Sequence, residues 1–239
     1  MLDPLRETSE AWPLFYQKPF LTRQPPPNIP LEIHQRLCGG LLGDGSLDFH
    51  RNKKMHQLIS VRYREKHAAA QVDLVLNQQN GLLPFTKKIK RATIQKDKNG
   101  YYFVETRTSR TKYFNVYGEV FYQSEKINGK WKNKKQLPKN IGELIDNPLS
   151  LGVWIAGDGN PHGKAFSICT HGFSESENSL LQDVLKQNFQ VQARVAWHSN
   201  GLNYYPHLYL PREEAAKLIS KCDSQIAALS SVRHKFDFS

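Results

Sequence analysis

The sequence predicts a mixed α and β protein built as two similar halves of one chain, and two observations carry that reading. Leu37-Cys38-Gly39-Gly40-Leu41-Leu42-Gly43-Asp44-Gly45 and Leu151-Gly152-Val153-Trp154-Ile155-Ala156-Gly157-Asp158-Gly159 are both apolar, small-residue helices that stop at Gly-Asp-Gly, 114 positions apart (37 to 151). Each is followed by segments of alternating polarity between turns rich in Gly and Asn, the pattern of antiparallel strands.

Residues 1–30 are proline-rich and end in Gln24-Pro25-Pro26-Pro27, an extended arm that Trp12, Phe15, Tyr16 and Phe20 would pin to the body. Pro30 and Pro148 stand where a first helical residue belongs, with Asn28 and Asn147 upstream as turn or cap residues, so each motif helix has a start signal. Ser46 to Arg51 and Gln57 to Arg64 read as a hairpin about Asn52-Lys53-Lys54. His67 to Asn77 reads as a helix, with Val72, Leu74, Val75 and Leu76 as its apolar residues. Thr86 to Thr108 reads as a second hairpin turned at Asp97-Lys98-Asn99-Gly100, and Lys112 to Lys126 as a helix. In the second half, Lys164 to Thr170 reads as a strand and Ser174 to Asn188 as an amphipathic helix. Phe189 to His198 and Asn203 to Pro211 form a hairpin about Ser199-Asn200-Gly201; Arg212 to Ile219 is the closing helix, with another over Ser224 to Ser230. The expected units are an arm over 1–30, a first half over 31–126, a linker over 127–147 and a second half over 148–239.

Gly39 and Gly43 share a helix face, and Gly152 and Ala156 repeat the spacing. A glycine inside a helix costs roughly 1 kcal/mol, and close approach of a second helix is the usual reason to keep several. Parallel packing of the two motif helices would bring Asp44 beside Asp158 at their C-terminal ends. There the carboxylates repel each other and face the negative end of each macrodipole. A hard divalent cation relieves that conflict, and Mg²⁺ suits one or two carboxylates plus phosphate oxygens. A single Gly-Asp-Gly is most often only a C-cap and turn. Two copies behind matched helices are a stronger signal.

On these motifs the chain resembles the LAGLIDADG homing endonucleases of the single-chain, two-motif type, over most of residues 31–238. Asn133-Lys134-Lys135-Gln136-Leu137-Pro138-Lys139-Asn140-Ile141, then Asn147-Pro148-Leu149-Ser150-Leu151, is similar to the linker of one large subgroup: a basic pair, a proline, a short helix and an Asn-Pro-Leu entry. Val153 departs from the usual small third residue, which implies a looser or shifted helix crossing, and Asn160 stands where Ser is common. The resemblance implies an α+β fold of two pseudo-symmetric αββαββα halves forming a DNA-binding saddle of antiparallel sheets. It implies hydrolysis of one phosphodiester in each strand across the minor groove, leaving short 3′ overhangs. The cofactor implied is Mg²⁺, with Mn²⁺ or Ca²⁺ able to substitute for binding. Asp44 and Asp158 would be the metal-binding acids, the carbonyls of Gly43 and Gly157 further ligands, and Arg110 and Lys235 the basic residues beside the two sites. A monomer acting on a long, asymmetric double-stranded DNA target follows, as does encoding within introns, with a chloroplast or mitochondrial location suggested only by the family's distribution. Two other readings remain: an RNA-binding intron maturase of the same fold, and a regulatory DNA-binding protein without metal dependence. Retention of both aspartates favours the nuclease.

Bulk properties agree. Thirty-three Lys plus Arg against 22 Asp plus Glu leave a net charge of +11, an electrostatic footprint for polyanions. With 39% hydrophobic residues the chain can bury a core, yet it has no run of apolar residues long enough to span a membrane and no basic-then-apolar leader. Three cysteines without metal-ligand spacing suit reduced thiols in an intracellular protein.

Strand phase indicates where a groove would be read. Ser60, Arg62 and Arg64 oppose Ile59, Val61 and Tyr63. Gln190, Gln192, Arg194 and His198 oppose Val191, Ala193, Val195 and Trp197. With the apolar sets packed on helices, the polar sets face outward, either to base edges or to solvent. Lys88 and Lys90, in the basic run Lys87 to Arg91, suit phosphates or an exposed strand equally. The nine histidines have no zinc spacing, and His162, His171 and His198 read as surface or DNA-facing residues rather than catalysts.

Overall fold

Each half builds a four-stranded antiparallel sheet of the same order: Gly45–Arg51, Leu58–Ala68, Tyr102–Arg107 and Gln95–Lys96 in the first, and Gly159–His162, Ala165–Ile168, Tyr204–Leu210 and Arg194–Ser199 in the second. The computed structural model describes residues 21–52, 57–86, 94–199 and 201–236, so residues 1–20 of the arm expected over 1–30, Lys88 and Lys90 lie outside the described residues. The first half runs α1 (Leu31–Leu42), β1 (Gly45–Arg51), β2 (Leu58–Ala68), α2 (Val72–Gly81), β3 (Gln95–Lys96), β4 (Tyr102–Arg107) and α3 (Asn115–Phe121). Then come β5 (Tyr122–Ile127), β6 (Lys130–Lys135) and α4 (Ile141–Leu144). The second half runs α5 (Pro148–Asp158), β7 (Gly159–His162), β8 (Ala165–Ile168), α6 (Glu175–Phe189), β9 (Arg194–Ser199), β10 (Tyr204–Leu210), α7 (Arg212–Ile226) and α8 (Ser230–Arg233). The architecture is α+β, two halves of repeated topology forming a saddle of antiparallel sheets.

Local chemistry explains the boundaries. Pro148 opens α5 and the Asn147 side chain accepts from the Ser150 N–H at 2.9 Å, satisfying a donor the helix leaves free. Ser174 and Glu177 form a full capping box on α6, and Gln190 ends that helix in the left-handed region at φ 60°. No side chain caps α1, and Asn28 is instead a turn residue at φ 66°. Pro161 sits in β7, an edge strand, where its missing N–H costs no ladder bond.

Four expectations need correction. β2 continues to Ala68, pairing through Ala68↔Phe103, so His67 lies on a strand and α2 begins only at Val72. The helix expected over Lys112 to Lys126 is a 3-10 turn at Lys112–Phe114 followed by the short α3. From Tyr122 the chain pairs with β6 around the two-residue turn Asn128-Gly129, at φ 49° and 75°, so β5 runs across the boundary expected between residues 126 and 127. β9 starts at Arg194, leaving Gln190 at a helix end and Gln192 in the connection, so neither belongs to a strand face. α7 extends past Ile219 to Ile226, and α8 follows at Ser230.

The core surrounds the two motif helices. Leu37, Leu41, Leu151, Trp154 and Ile155 are fully buried between the inner faces of both sheets, which contribute Val61 and Tyr63 from one and Phe166, Ile168, Leu208 and Leu210 from the other. At the crossing, a Cβ on Gly39 would collide with the Ser150 carbonyl, and one on Gly43 would lie 3.4 Å from the Trp154 carbonyl. Gly152 does not mirror this. Its missing side chain makes room for Gln225 Cβ of α7, which a Cβ would meet at 2.6 Å. Val153 lines a small cleft with Arg36, Asn77 and Gln78, so the crossing is tight at Gly39 and opens on the Val153 side.

Candidate functional site

Parallel packing of α1 and α5 makes their C-terminal ends coincide. A Cβ built on Gly157 would lie 3.3 Å from Asp44 Oδ2, and one on Gly43 would lie 3.5 Å from Asp158 Oδ2. Each motif's glycine therefore backs onto the other motif's carboxylate. Asp44 is 45% exposed, while burial and then the charge of Asp44 push the Asp158 carboxyl up to about 8, against the opposing pull of Lys135 and Lys235.

Two lysines come to this point from opposite directions. Lys135, at the end of β6, donates to the carbonyls of Gly43 at 2.9 Å and Gly45 at 2.8 Å. Lys235, just beyond α8, donates to the Gly157 carbonyl at 3.2 Å. Burial lowers the pKa of both ammonium groups, and the two aspartates partly offset it. The Gly43 and Gly157 carbonyls are acceptors at helix ends, and cations are favoured there.

Behind Asp44 lies a buried chain of polar groups. His67 Nδ1 is 3.4 Å from Asp44 Oδ2, and His67 Nε2 is 2.7 Å from Glu65 Oε1. Tyr63 donates its hydroxyl proton to Glu65, and Gln78 donates to the Tyr63 hydroxyl at 3.1 Å. Gly40 and Gly45 give that hydroxyl its space, since a Cβ on either would overlap it. Burial opposes protonation of His67, but hydrogen bonding and charge from Glu65, with Asp44, outweigh it and raise its pKa. On the second side Cys169, just past β8, donates its N–H to the Asp158 carbonyl at 2.9 Å. The two acid positions are therefore unequal.

The expected basic residue of the first half is displaced. Arg110 donates to Asp48 Oδ2 at 2.9 Å on the open face of the first sheet, and Lys135 stands by the acids instead. The pair Lys134-Lys135 is plain in the sequence, but only the β6 hairpin, by strand alternation, turns Lys135 inward.

The open face of the first sheet carries Ser60, Arg62 and Arg64, as their phase predicts. Arg62 is held by Asp48 at 2.6 Å, while Arg64 and Arg107 are both held by Glu105 at 2.6 Å. Burial would raise both carboxyls, but these arginines hold them below their ordinary range. On the second sheet, Arg194 lies over the Tyr209 ring at 5.3 Å and His198 stacks with His171. Trp197, expected on the helices, is 51% exposed because β9 is the outer strand and overhangs the core. Gln192 offers its main-chain N–H to Glu214 at 2.7 Å.

Among the described residues no three His, Cys, Asp or Glu side chains converge as a metal-binding group. The donors at the helix ends are two carboxylates and main-chain carbonyls, all hard oxygen. No helix among the described residues is long and apolar enough to cross a membrane.

A family model described as the LAGLIDADG DNA endonuclease family matches residues 34–218. A protein of Mycosarcoma maydis named Probable intron-encoded DNA endonuclease 3 is 32% identical over 98 residues, 39% of this chain and 68% of the relative. The homing endonuclease I-WcaI, bound to its DNA recognition sequence, superposes with a TM-score of 0.67 at 17% identity, covering 100% of this chain and 96% of that one. I-DmoI in complex with DNA and Mn overlaps with a TM-score of 0.47 at 14% identity, covering 80% and 96%.

Proposed function

The chain belongs to the LAGLIDADG DNA endonuclease family, and from that premise we propose that it hydrolyses one phosphodiester in each strand of a double-stranded target with the paired acids Asp44 and Asp158. The observation that carries this reading is the meeting of the two aspartates at coincident helix ends, each with a lysine on the neighbouring carbonyl. Both acids are retained, which a role confined to RNA binding does not require.

The donor set fits a divalent cation. Two carboxylates share one site, one of them held protonated up to about pH 8 by burial and by its neighbour, and a cation removes the repulsion that causes this. Asp44, Asp158 and the second lone pairs of the Gly43 and Gly157 carbonyls would hold it; Mg²⁺ is the ion we propose. When bound, such an ion supplies Lewis acidity and charge neutralisation at the scissile phosphate.

The remaining steps belong to the chain itself. Lys135 and Lys235 put fixed positive charge where the phosphorane develops negative charge, in a partly buried setting that strengthens the interaction. His67, anchored by Glu65, orients the Asp44 carboxylate. The two open sheet faces flank this centre and would hold the duplex. Arg62 and Arg64 are pre-positioned by Asp48 and Glu105, and Arg194 and His198 face outward on the other side. Cleavage across the minor groove with 3′ overhangs is what membership of the family implies, and one motif per half supports a single active chain and an asymmetric target. The 31–126 and 148–239 halves would each bind one half-site.

The test is to incubate the purified chain with a plasmid library of randomised duplexes, with and without Mg²⁺, and to sequence the cut ends. Metal-dependent double-strand cuts at one family of related sequences are expected, lost in Asp44→Asn and in Asp158→Asn while DNA binding persists. Full cutting by either variant would remove the acid assignment.

A further inference from the structure

The open faces of the two sheets differ in the kind of charge they carry. The first holds Arg62, Arg64, Arg107 and Arg110 in ion pairs with Asp48 and Glu105. The second holds four imidazoles. His171, after β8, lies parallel to His198 of β9 with ring centroids 5.8 Å apart. His207 of β10 stands edge-on to both, at 6.0 and 6.4 Å, and His162 of β7 lies 6.2 Å from Tyr209.

Strand phase puts them together. Tyr205↔His198 and His207↔Ala196 are paired residues on β10 and β9, and alternate residues of these strands turn Val195, Leu208 and Leu210 toward the core. The groups facing the cluster are Arg194 over Tyr209, the Cys169 thiol at 3.5 Å from His171 Nδ1, Tyr205 at 5.6 Å from His171, and the neutral Asn160 and Ser167. Among the described residues no carboxylate forms an ion pair with any of the four rings. Partial burial first, and then the mutual repulsion of the rings, lower the pKa of His171 and His207. In the free protein at neutral pH these two rings therefore carry little charge. A phosphate backbone laid against the cluster reverses the balance, because anions favour the protonated ring.

Resting on the DNA-endonuclease reading, we propose that His162, His171, His198 and His207 form a DNA-contact surface that takes up protons as it closes on the duplex, making the second half's grip on DNA pH-dependent. The sign follows from linkage: groups whose pKa is higher in the complex add affinity fully below their free pKa, and that affinity is lost as pH rises through the bound pKa.

The test uses the full chain, a random-sequence duplex of about 30 base pairs and EDTA, at constant salt because phosphate contacts are salt-dependent. Anisotropy titrations between pH 6 and pH 8 should give tighter binding at the lower pH, by up to about tenfold per pH unit for each proton taken up. Calorimetry at pH 7 in two buffers of different ionisation enthalpy counts those protons directly. An Asp158→Asn background removes the buried acid as a source, and His50→Gln controls for the first sheet. His171→Asn with His207→Gln should flatten the pH dependence, and His198→Gln, at an exposed position, should reduce it in part. Equal affinity at both pH values, no proton uptake, or undiminished pH dependence in the histidine variants would overturn the proposal. No DNA binding at any pH would instead overturn the reading on which it rests.

Discussion

Gly39 of α1 lies against the main-chain carbonyl of Ser150 on α5, leaving no room for even a methyl group between the two motif helices. Gly39→Ala must push the helices apart where their ends carry Asp44 and Asp158. A loss of about 1–3 kcal/mol in unfolding free energy is expected, read by urea denaturation, together with weaker cleavage by the folded fraction. Gly172→Ala, with nothing near its Cβ position, is the control. Equal stability of the two variants would show that the crossing relaxes freely.

Lys135 and Arg110 should behave differently. Removing the Lys135 ammonium takes away a donor from two carbonyls and a charge beside both acids. Lys135→Met should slow strand cleavage by about 10²–10³-fold with little change in DNA affinity. Arg110→Ala should alter affinity more than rate, since Arg110 pairs with Asp48 on the sheet face. Single-turnover rates beside binding curves separate the two, and the reverse pattern would restore Arg110 to the centre.

Asp44 has a histidine partner and Asp158 has none among the described residues. His67→Gln should slow the cut made at one site by about 10–100-fold, as loss of an orienting partner typically does. A nicked intermediate should then accumulate on a supercoiled substrate. Equal slowing of both strands would mean that His67 acts on the whole centre.

Asp73 ties the C-terminal segment to the first half. It accepts from the Ser231 N–H at 2.9 Å and the Ser230 hydroxyl at 3.1 Å, and also from the Ser231 hydroxyl. Burial raises its pKa, but these hydrogen bonds lower it overall. A carboxyl with a depressed folded pKa adds stability above its unfolded value, near 3.9, and that stability fades as pH falls through the folded value. Asp73→Asn should therefore lower stability at neutral pH by about 1–3 kcal/mol and flatten the acid limb of the stability curve. Because α8 leads directly into Lys235, cleavage should fall as well. An unchanged acid limb would refute the role given to Asp73.

Arg194→Ala should cost about 1–3 kcal/mol on the true target and relax preference at one or two base pairs. Equal losses on target and scrambled duplexes would mean that Arg194 meets only phosphates.

The sequence by itself determined the two-half organisation, the motif helices and the acids at their ends. Each of these depends on local signals: Pro and Asn at helix starts, Gly-Asp-Gly at the ends, and alternation along strands such as β2 and β10. Tertiary structure decided what depends on partners distant in the chain. Glu65 and His67 look polar and exposed along the sequence, yet both are buried because Asp44, Tyr63 and Gln78 satisfy them. Arg110 and Lys135 are interchangeable as isolated cations, and only the pairing of β5 with β6 turns Lys135 onto the Gly43 carbonyl. The four histidines are scattered over 46 positions (162 to 207), and three strands and a loop bring them onto one face. A hydrogen bond or a charge pair is a property of two groups, so a local pattern shows at most one of them until the chain has folded.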